Sequence, residues 1–166
     1  MVRSADVCDI TGGNFTSFYN QSEGSLFAEY SLVSGYTNVG RAVIVAQASN
    51  NTFNELVRIG SATAGTSPFF DTSVGGLRTI ATALNNFNFS GINKTSGAYI
   101  VGNNAISHNG NAVVTSSPAA ITSSCNRLDI GRYHPGSANM PYNGHIASLR
   151  YYRKRLPNAK LQALTV

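Results

Sequence analysis

Residues 14–32 read NFTSFYNQSEGSLFAEYSL, and this stretch joins a turn-prone segment to a clear strand pattern. From Leu26 to Leu32 apolar residues occupy every second position, a period of two that predicts a β-strand with one buried face. The preceding segment places three aromatic residues, Phe15, Phe18 and Tyr19, in a predicted loop. This loop either folds over the edge of a β-sandwich or presents an exposed aromatic platform to a ligand.

The rest of the chain follows the same pattern, with Gly, Asn and Ser recurring about every eight to twelve residues, a spacing typical of a sandwich or barrel. An Asn109-Gly110 pair favours a type I′ turn between two strands. The only predicted helix is short, at the C-terminus, where Pro157 precedes NAKLQAL. With no linker or repeat, residues 1–166 are expected to form one domain. Strands are predicted at Leu26–Leu32, Arg41–Ala48, Phe53–Gly60, Leu77–Thr82, Ala98–Val101, Arg127–Gly131 and Gly144–Tyr152.

Charged residues make up only 11% of the chain, so neutral Asn, Ser, Thr and Gly must provide most of the polar surface. Such a surface suits hydrogen bonding to water and equally to sugar hydroxyls. The net charge is +5, and a basic cluster near the C-terminus either meets an acidic polysaccharide or is a solvated strand end. No nucleic-acid-binding pattern accompanies the cluster, which comprises Arg150, Arg153, Lys154, Arg155 and Lys160.

The sequence predicts no membrane insertion, because it has no apolar run of membrane length. It also shows no secretory signal. A protein of this kind that works outside a cell would therefore be released by lysis or cut from a longer chain.

Catalytic and metal-binding patterns are weak. No two of the seven acids have the spacing of a glycosidase pair on one strand, although Glu29 and Glu55 could meet from different strands. Asp71, in a PFFDTS segment interpreted as a loop, is the one candidate calcium ligand. We therefore predict no enzyme activity, no metal and no cofactor. The three histidines lack metal-site spacing and are interpreted as surface or strand-end residues: His108, His134 and His145.

The two cysteines, Cys8 and Cys125, are interpreted as free thiols, because they are too far apart for a CxxC motif. A disulfide stays possible if the first strand lies beside the strand near Arg127.

Two segments carry a family resemblance: FYNQSEGSLFAEYSL near the start and GHIASLRYYRKRLPNAKLQALT at the end. Together they resemble the concanavalin A-like lectin/glucanase superfamily, and more narrowly the laminin-G-like modules of bacteriophage tail fibres, tail spikes and other virion proteins. The resemblance spans residues 6–165 and implies an all-β, two-sheet antiparallel jelly-roll sandwich with a short C-terminal helix. The catalytic acid strand of the glucanases and the calcium loop of the legume lectins are both absent. Within this fold Asn20 and Glu23 are expected to hydrogen-bond backbone, and the aromatic residues to cover the sandwich edge.

The resemblance implies a carbohydrate- or receptor-binding module at the C-terminal end of a longer virion protein, extracellular when functional. Its expected partners are host cell-surface polysaccharide and other virion domains, with a possible homotrimer. The alternative is a structural assembly or trimer-end domain that binds no sugar. The long loop Arg132–His145 mixes aromatic rings and amides and is longer than most connections. We predict sugar contacts there at Arg132, Tyr133, His134, Asn139, Tyr142 and Asn143.

Overall fold

The computed structural model describes residues 8–32, 41–48, 54–61, 67–83, 87–88, 91–132, 142 and 144–166, with 32, 41, 42 and 61 described by backbone alone. These residues form the strands and two short helices of the fold. The helices are α1 (Gly12–Phe18) and α2 (Asn158–Leu164). The strands are β1 (Cys8–Thr11), β2 (Glu23–Leu32), β3 (Arg41–Gln47), β4 (Leu56–Ser61), β5 (Pro68–Val74), β6 (Leu77–Thr82), β7 (Asn93–Ile100), β8 (Asn104–His108), β9 (Val114–Ser116), β10 (Arg127–Ile130) and β11 (Gly144–Tyr152).

The described strands form two antiparallel sheets packed face to face. The six-stranded sheet has the order β1-β10-β3-β4-β5-β6, and the five-stranded sheet has the order β11-β2-β7-β8-β9. Apolar side chains from the inner face of each sheet meet in one core, among them Ile44, Val57 and Phe70 from the first sheet and Leu26 and Ile106 from the second. This arrangement confirms the prediction of an all-β, two-sheet antiparallel sandwich with a short C-terminal helix.

Strand β2 has the orientation that its alternating sequence predicts. Leu26, Ala28 and Tyr30 are all buried in the core between the sheets. The strand pairs with β11 on one side and with β7 on the other, so it lies inside the five-stranded sheet. Burial of one face fixes the register, because a slip of one residue would expose the whole apolar set.

The two sheets approach each other closely where β7 crosses β5. A Cβ atom added to Gly97 would lie 2.0 Å from Cδ2 of Phe70, a contact that real Cβ atoms do not make. Glycine at this position therefore lets the Phe70 ring pack directly against the β7 backbone.

The first aromatic segment is a helix rather than the predicted loop. Residues Gly12–Phe18 form α1, within which Phe15 is fully buried, while the following Tyr19 is 5% exposed. The Tyr19 ring stacks on Phe15 and on Tyr151, with centroid separations of 4.5 and 5.4 Å. The ligand-platform interpretation is therefore wrong for these rings, and the interpretation as a cover over the sandwich edge is confirmed.

The expected roles of Asn20 and Glu23 are also confirmed. Asn20 Nδ2 donates to the carbonyl of Arg153 at 2.8 Å, and Glu23 Oε2 accepts from the backbone N–H of Arg155 at 3.0 Å. Both side chains thus hydrogen-bond the segment that follows β11 to the residues at the start of β2.

Several strand predictions need correction. The PFFDTS segment is strand β5 and Asp71 is fully buried in it, so the interpretation of this segment as a loop with Asp71 as a candidate calcium ligand is wrong. Strand β7 begins at Asn93 rather than Ala98, and β1 was not predicted. The predicted Asn109-Gly110 turn is present, with φ angles of 45° and 77°, but the next strand begins only at Val114.

Helix α2 lies against the outer face of the five-stranded sheet. Leu161 is fully buried there against Ala98 and Ala105, and its carbonyl accepts a hydrogen bond from Ser96 Oγ at 2.9 Å. The C-terminal helix thus covers part of this face.

The cysteine prediction is confirmed, and His108 is a strand-end residue as predicted, at the end of β8, although it is not at the surface. Cys8 is an exposed free thiol and Cys125 a buried one. Cys8 pairs in register with Ile130, at the end of β10 away from Cys125. His108 is fully buried, with Nδ1 2.8 Å from Thr95 Oγ1, whereas His145 is exposed as expected. His134 lies outside the described residues.

Candidate ligand-binding face

The outer face of the six-stranded sheet carries an unusual number of buried polar groups. One row of register partners crosses all six strands and comprises Asp9, Asp129, Val45, Arg58, Asp71 and Ile80. These residues lie on the outer face, because their sequence neighbours Leu128, Ile44, Val57 and Phe70 belong to the core. Arg58, Asp71 and Asp129 in this row are 3% exposed or less.

Asp71 is the centre of the first charge group. Its carboxylate accepts from Nε and Nη2 of Arg58 at 3.0 and 2.9 Å, and from Nε of Arg78 at 2.9 Å. The Arg58 guanidinium lies over the Phe69 ring at 4.8 Å, and that of Arg78 lies 6.0 Å from the same ring. Asp71 and Phe69 thus hold two guanidinium groups in fixed orientations. The Arg78 side chain is 38% exposed and reaches solvent.

Asp129 and Asp9 form the second charge group, near the other edge of the sheet. Arg127 donates from Nε and Nη2 to Asp129 at 2.7 Å each, and from Nη2 to Asp9 at 2.6 Å. Hydrogen bonding to Asp129 and the nearby negative charges raise the pKa of Arg127. Gln47 Nε2 also donates to Asp129 at 2.7 Å. Arg132 donates from Nη2 to Asp9 at 3.3 Å.

The two groups together leave an excess of positive charge. The two groups contain four arginines, at 58, 78, 127 and 132, and three aspartates, at 9, 71 and 129. Their combined net charge is therefore one positive unit. Each of these aspartates already accepts hydrogen bonds from side chains around it. The arrangement offers fixed N–H donors rather than a free general base, and this chemistry suits binding.

Of the predicted sugar contacts, only Arg132 and Tyr142 lie within the described residues. The Arg132 side chain is 16% exposed, and its Nε has no hydrogen-bond partner in this part of the chain. The Tyr142 hydroxyl donates to the carbonyl of Ser31 at 2.8 Å, and its ring packs edge-on against Tyr30. Sugar binding at the predicted set remains a prediction. Its other members, Tyr133, His134, Asn139 and Asn143, lie outside the described residues.

Sequence reasoning did not identify the arginines and aspartates of the outer face as a site. The available signal was a charged residue between two apolar neighbours, as at Arg58 in LVRIG and Asp129 in LDI. Nothing local indicated that Arg58 would meet Asp71, because that pairing depends on the register between β4 and β5.

The alternative catalytic pair and other site types receive no support from the described residues. Glu29 lies on β2, opposite Lys94, whereas Glu55 precedes β4 in the other sheet and accepts from the backbone N–H of Gly75 at 2.8 Å. Within the described ranges no group of three metal-ligating side chains comes together. In the same ranges no helix has the length and apolar character needed to cross a membrane.

Comparison with known proteins gives structural neighbours only. No family model matches the chain, and no curated protein matches it in sequence. The CBM40 of the Ruminococcus gnavus IT-sialidase, solved bound to α2,3-sialyllactose, is similar in fold, with a TM-score of 0.76, 13% identity and coverage of 98% of this chain and 97% of that one. The SAP-like pentraxin of Limulus polyphemus follows with a TM-score of 0.66 at 10% identity, covering 87% and 70%. Domains LG4-5 of the mouse laminin α1 chain give 0.67 at 11% identity, covering 93% and 41%. The chain therefore has the concanavalin A-like jelly-roll fold that its sequence resembles.

Proposed function

We propose that this chain is a non-catalytic carbohydrate-binding module that recognises an acidic glycan on a cell surface through the outer face of its six-stranded sheet. The observation that carries this proposal is the arginine-rich network on that face, with four guanidinium groups for three carboxylates. A guanidinium group offers planar, paired N–H donors that match carboxylate, sulfate and phosphate groups. The network fixes these donors in place before a ligand arrives.

Arg78 and Arg132 are the residues of this network expected to contact the ligand. Arg78 shares Asp71 with Arg58, so one carboxylate serves two cations, and the Arg78 side chain is exposed. Arg132 pairs with Asp9 and Asp129 and is the first residue of the loop for which sugar contacts were predicted. The similarity to the CBM40 bound to sialyllactose, a sugar that carries a carboxylate, supports an acidic ligand.

The wider context is also a proposal. The chain acts as the C-terminal module of a bacteriophage tail fibre or spike, located on the virion and extracellular when it meets host polysaccharide. The resemblance of the Tyr19–Gly24 and Gly144–Tyr152 segments to phage laminin-G-like modules supports this context.

A glycan array that pairs sialylated, sulfated and capsular sugars with their neutral analogues tests the proposal. We expect the chain to retain acidic glycans, and Arg78→Met to weaken that binding about tenfold, the value of a lost charged hydrogen bond. Arg150→Met is the matched control, because Arg150 is also exposed and lies over an aromatic ring, Phe27, but on the other sheet. Absence of binding to every acidic glycan, or equal losses in the two variants, would contradict the proposal.

A structural assembly role is the second candidate, and the exposed strand edge described below favours it in the form of a dimer. The homotrimer predicted from the resemblance is a different assembly and would need another interface. A chain that binds no glycan and associates in solution would support it over the binding role.

A further inference from the structure

We propose that the outer edge of strand β6, which no described strand covers, is a homodimer interface, through which the six-stranded sheets of two copies join into one continuous sheet. The proposed partner is a second copy of this chain, placed antiparallel with Ile80 opposite Ile80. The inference concerns assembly and does not depend on glycan binding.

Among the described edge strands, β6 alone has none of the features that normally prevent an edge from pairing with another strand. Exposed edges are normally made short, bulged or charged, because unpaired backbone groups attract other strands. Edge strands β1 and β9 have only four and three residues, and β11 carries a bulge between Ile146 and Ser148. Strand β6 has six residues, LRTIAT, with no proline and no lysine, and its single charge, Arg78, is paired with Asp71.

Two exposed apolar side chains lie on the same strand. Leu77 is 83% exposed and Ile80 is 44% exposed, and both belong to the small set of large apolar residues that the described chain leaves at the surface. Ile80 lies on the outer face beside Arg78, since its register partner is Asp71. A second strand added at this edge would cover Ile80.

The hydrogen-bonding phase of β6 shows which of its backbone groups are directed away from β5. The N–H of Ala83 donates to the carbonyl of Pro68 at 3.0 Å. Pairs alternate along an antiparallel ladder, and β5 and β6 pair without a register shift, so Ala81 and Thr79 also direct their backbone groups toward β5. The N–H and C=O groups of the alternate residues, Arg78, Ile80 and Thr82, therefore point outward.

One self-pairing register uses all of these groups. With Ile80 on the twofold axis, Arg78 of each copy lies opposite Thr82 of the second copy, and the free residues form about six hydrogen bonds. The two Ile80 side chains meet on the outer face. Arg78 of one copy does not lie opposite Arg78 of the other, so no like charges face each other across the axis. The edge is thus self-complementary in hydrogen bonding, in apolar contact and in charge.

Dimerisation would have a consequence for binding, and this consequence rests on the proposed function. The two Arg78 side chains would share one continuous face, displaced by about 13 Å along the strand direction. Two sites on one face gain avidity for a repeating polysaccharide, because the second contact becomes intramolecular.

The mass of the protein in solution, measured across a wide range of concentration, tests the interface. We expect the wild type to form a dimer of twice 17.6 kDa. Ile80→Lys should be monomeric, because two ammonium groups would then face each other on the axis. Ile80→Glu alone should also be monomeric, and an equimolar mixture of the two variants should restore the dimer. The mixture controls for folding, since only intact edges can pair.

Leu77→Lys is the matched control, because Leu77 is more exposed than Ile80 but directs its backbone toward β5; it should remain dimeric. A monomeric or trimeric wild type, or an Ile80→Lys dimer, would overturn the proposal. If the wild type dimerises but retains no glycan, the binding function fails while the interface stands. If it binds glycan as a monomer, the interface alone fails.

Discussion

Replacing Asp71 with alanine is expected to destabilise the fold far more than its outer-face position suggests. The Asp71 carboxylate is fully buried and holds Arg58, whose side chain is 4% exposed, through two hydrogen bonds. Breaking a buried ion pair by removing one partner costs about 3–5 kcal/mol, because a desolvated charge loses its compensation. For a domain of this size, we expect the melting temperature to fall by about 6–20 °C.

Far-UV circular dichroism during thermal and urea unfolding measures this effect, since the chain has no tryptophan to report by fluorescence. Asp9→Ala is the matched control: Asp9 also pairs with arginines on the outer face but is 31% exposed, so its loss should cost less than about 1 kcal/mol. Arg78→Met should also be mild, because Asp71 keeps Arg58. Equal stability of Asp71→Ala and Asp9→Ala would refute the idea that the Arg58–Asp71 pair is desolvated.

Three further predictions concern the core and the thiols. Gly97→Ala should lower the free energy of unfolding by about 1–3 kcal/mol, because the added methyl group clashes with the Phe70 ring. Phe70→Leu in the same background should recover part of this loss, which chemical denaturation measures. Cys8 should react at once with a thiol reagent and Cys125 only on unfolding, so two fast equivalents in the native protein would contradict the structure. Burial raises the pKa of the Cys125 thiol from 9.0 to about 12 and raises that of Tyr19 as well, so the folded state favours their protonated forms. The contribution of these two groups to stability should be constant from neutral pH to about 9.0 and decline toward about pH 12, and Cys125→Ala should shift the onset toward 10.0, as urea unfolding at several alkaline pH values would show.

Strand positions were predictable where alternation and a buried inner face coincide. The bounds of β6 and β11 agree with the sequence prediction to the residue. Helix α1 was not predictable from GGNFTSF, which contains poor helix formers. Packing of Phe15 and Tyr19 against Tyr151 stabilises it instead, and those contacts join the two ends of the chain.

The candidate site was less predictable than the fold, and the reason is physical. PFFDTS was interpreted as a loop, yet it forms β5, which is buried along nearly its whole length. Its burial depends on Arg58 and Arg78, which neutralise Asp71 from β4 and β6. A single sequence records the three residues but not the register that brings them together.

Stability alone does not account for the arginine-rich network. A buried ion pair replaced by apolar residues of similar volume often leaves stability unchanged or improves it, so sheet packing has no need of these charges. The double variant Arg58→Met/Asp71→Leu separates the two roles. We expect its free energy of unfolding to remain within about 1 kcal/mol of the wild-type value, because both buried charges are removed together. Asp71→Ala alone leaves the buried Arg58 charge without its partner and should therefore be less stable. If the double variant also loses acidic-glycan binding, the loss comes from the release of Arg78, whose guanidinium then has no Asp71 to orient it. A double variant that is folded and binds acidic glycan at wild-type strength would show that the network does not position the ligand-binding arginine.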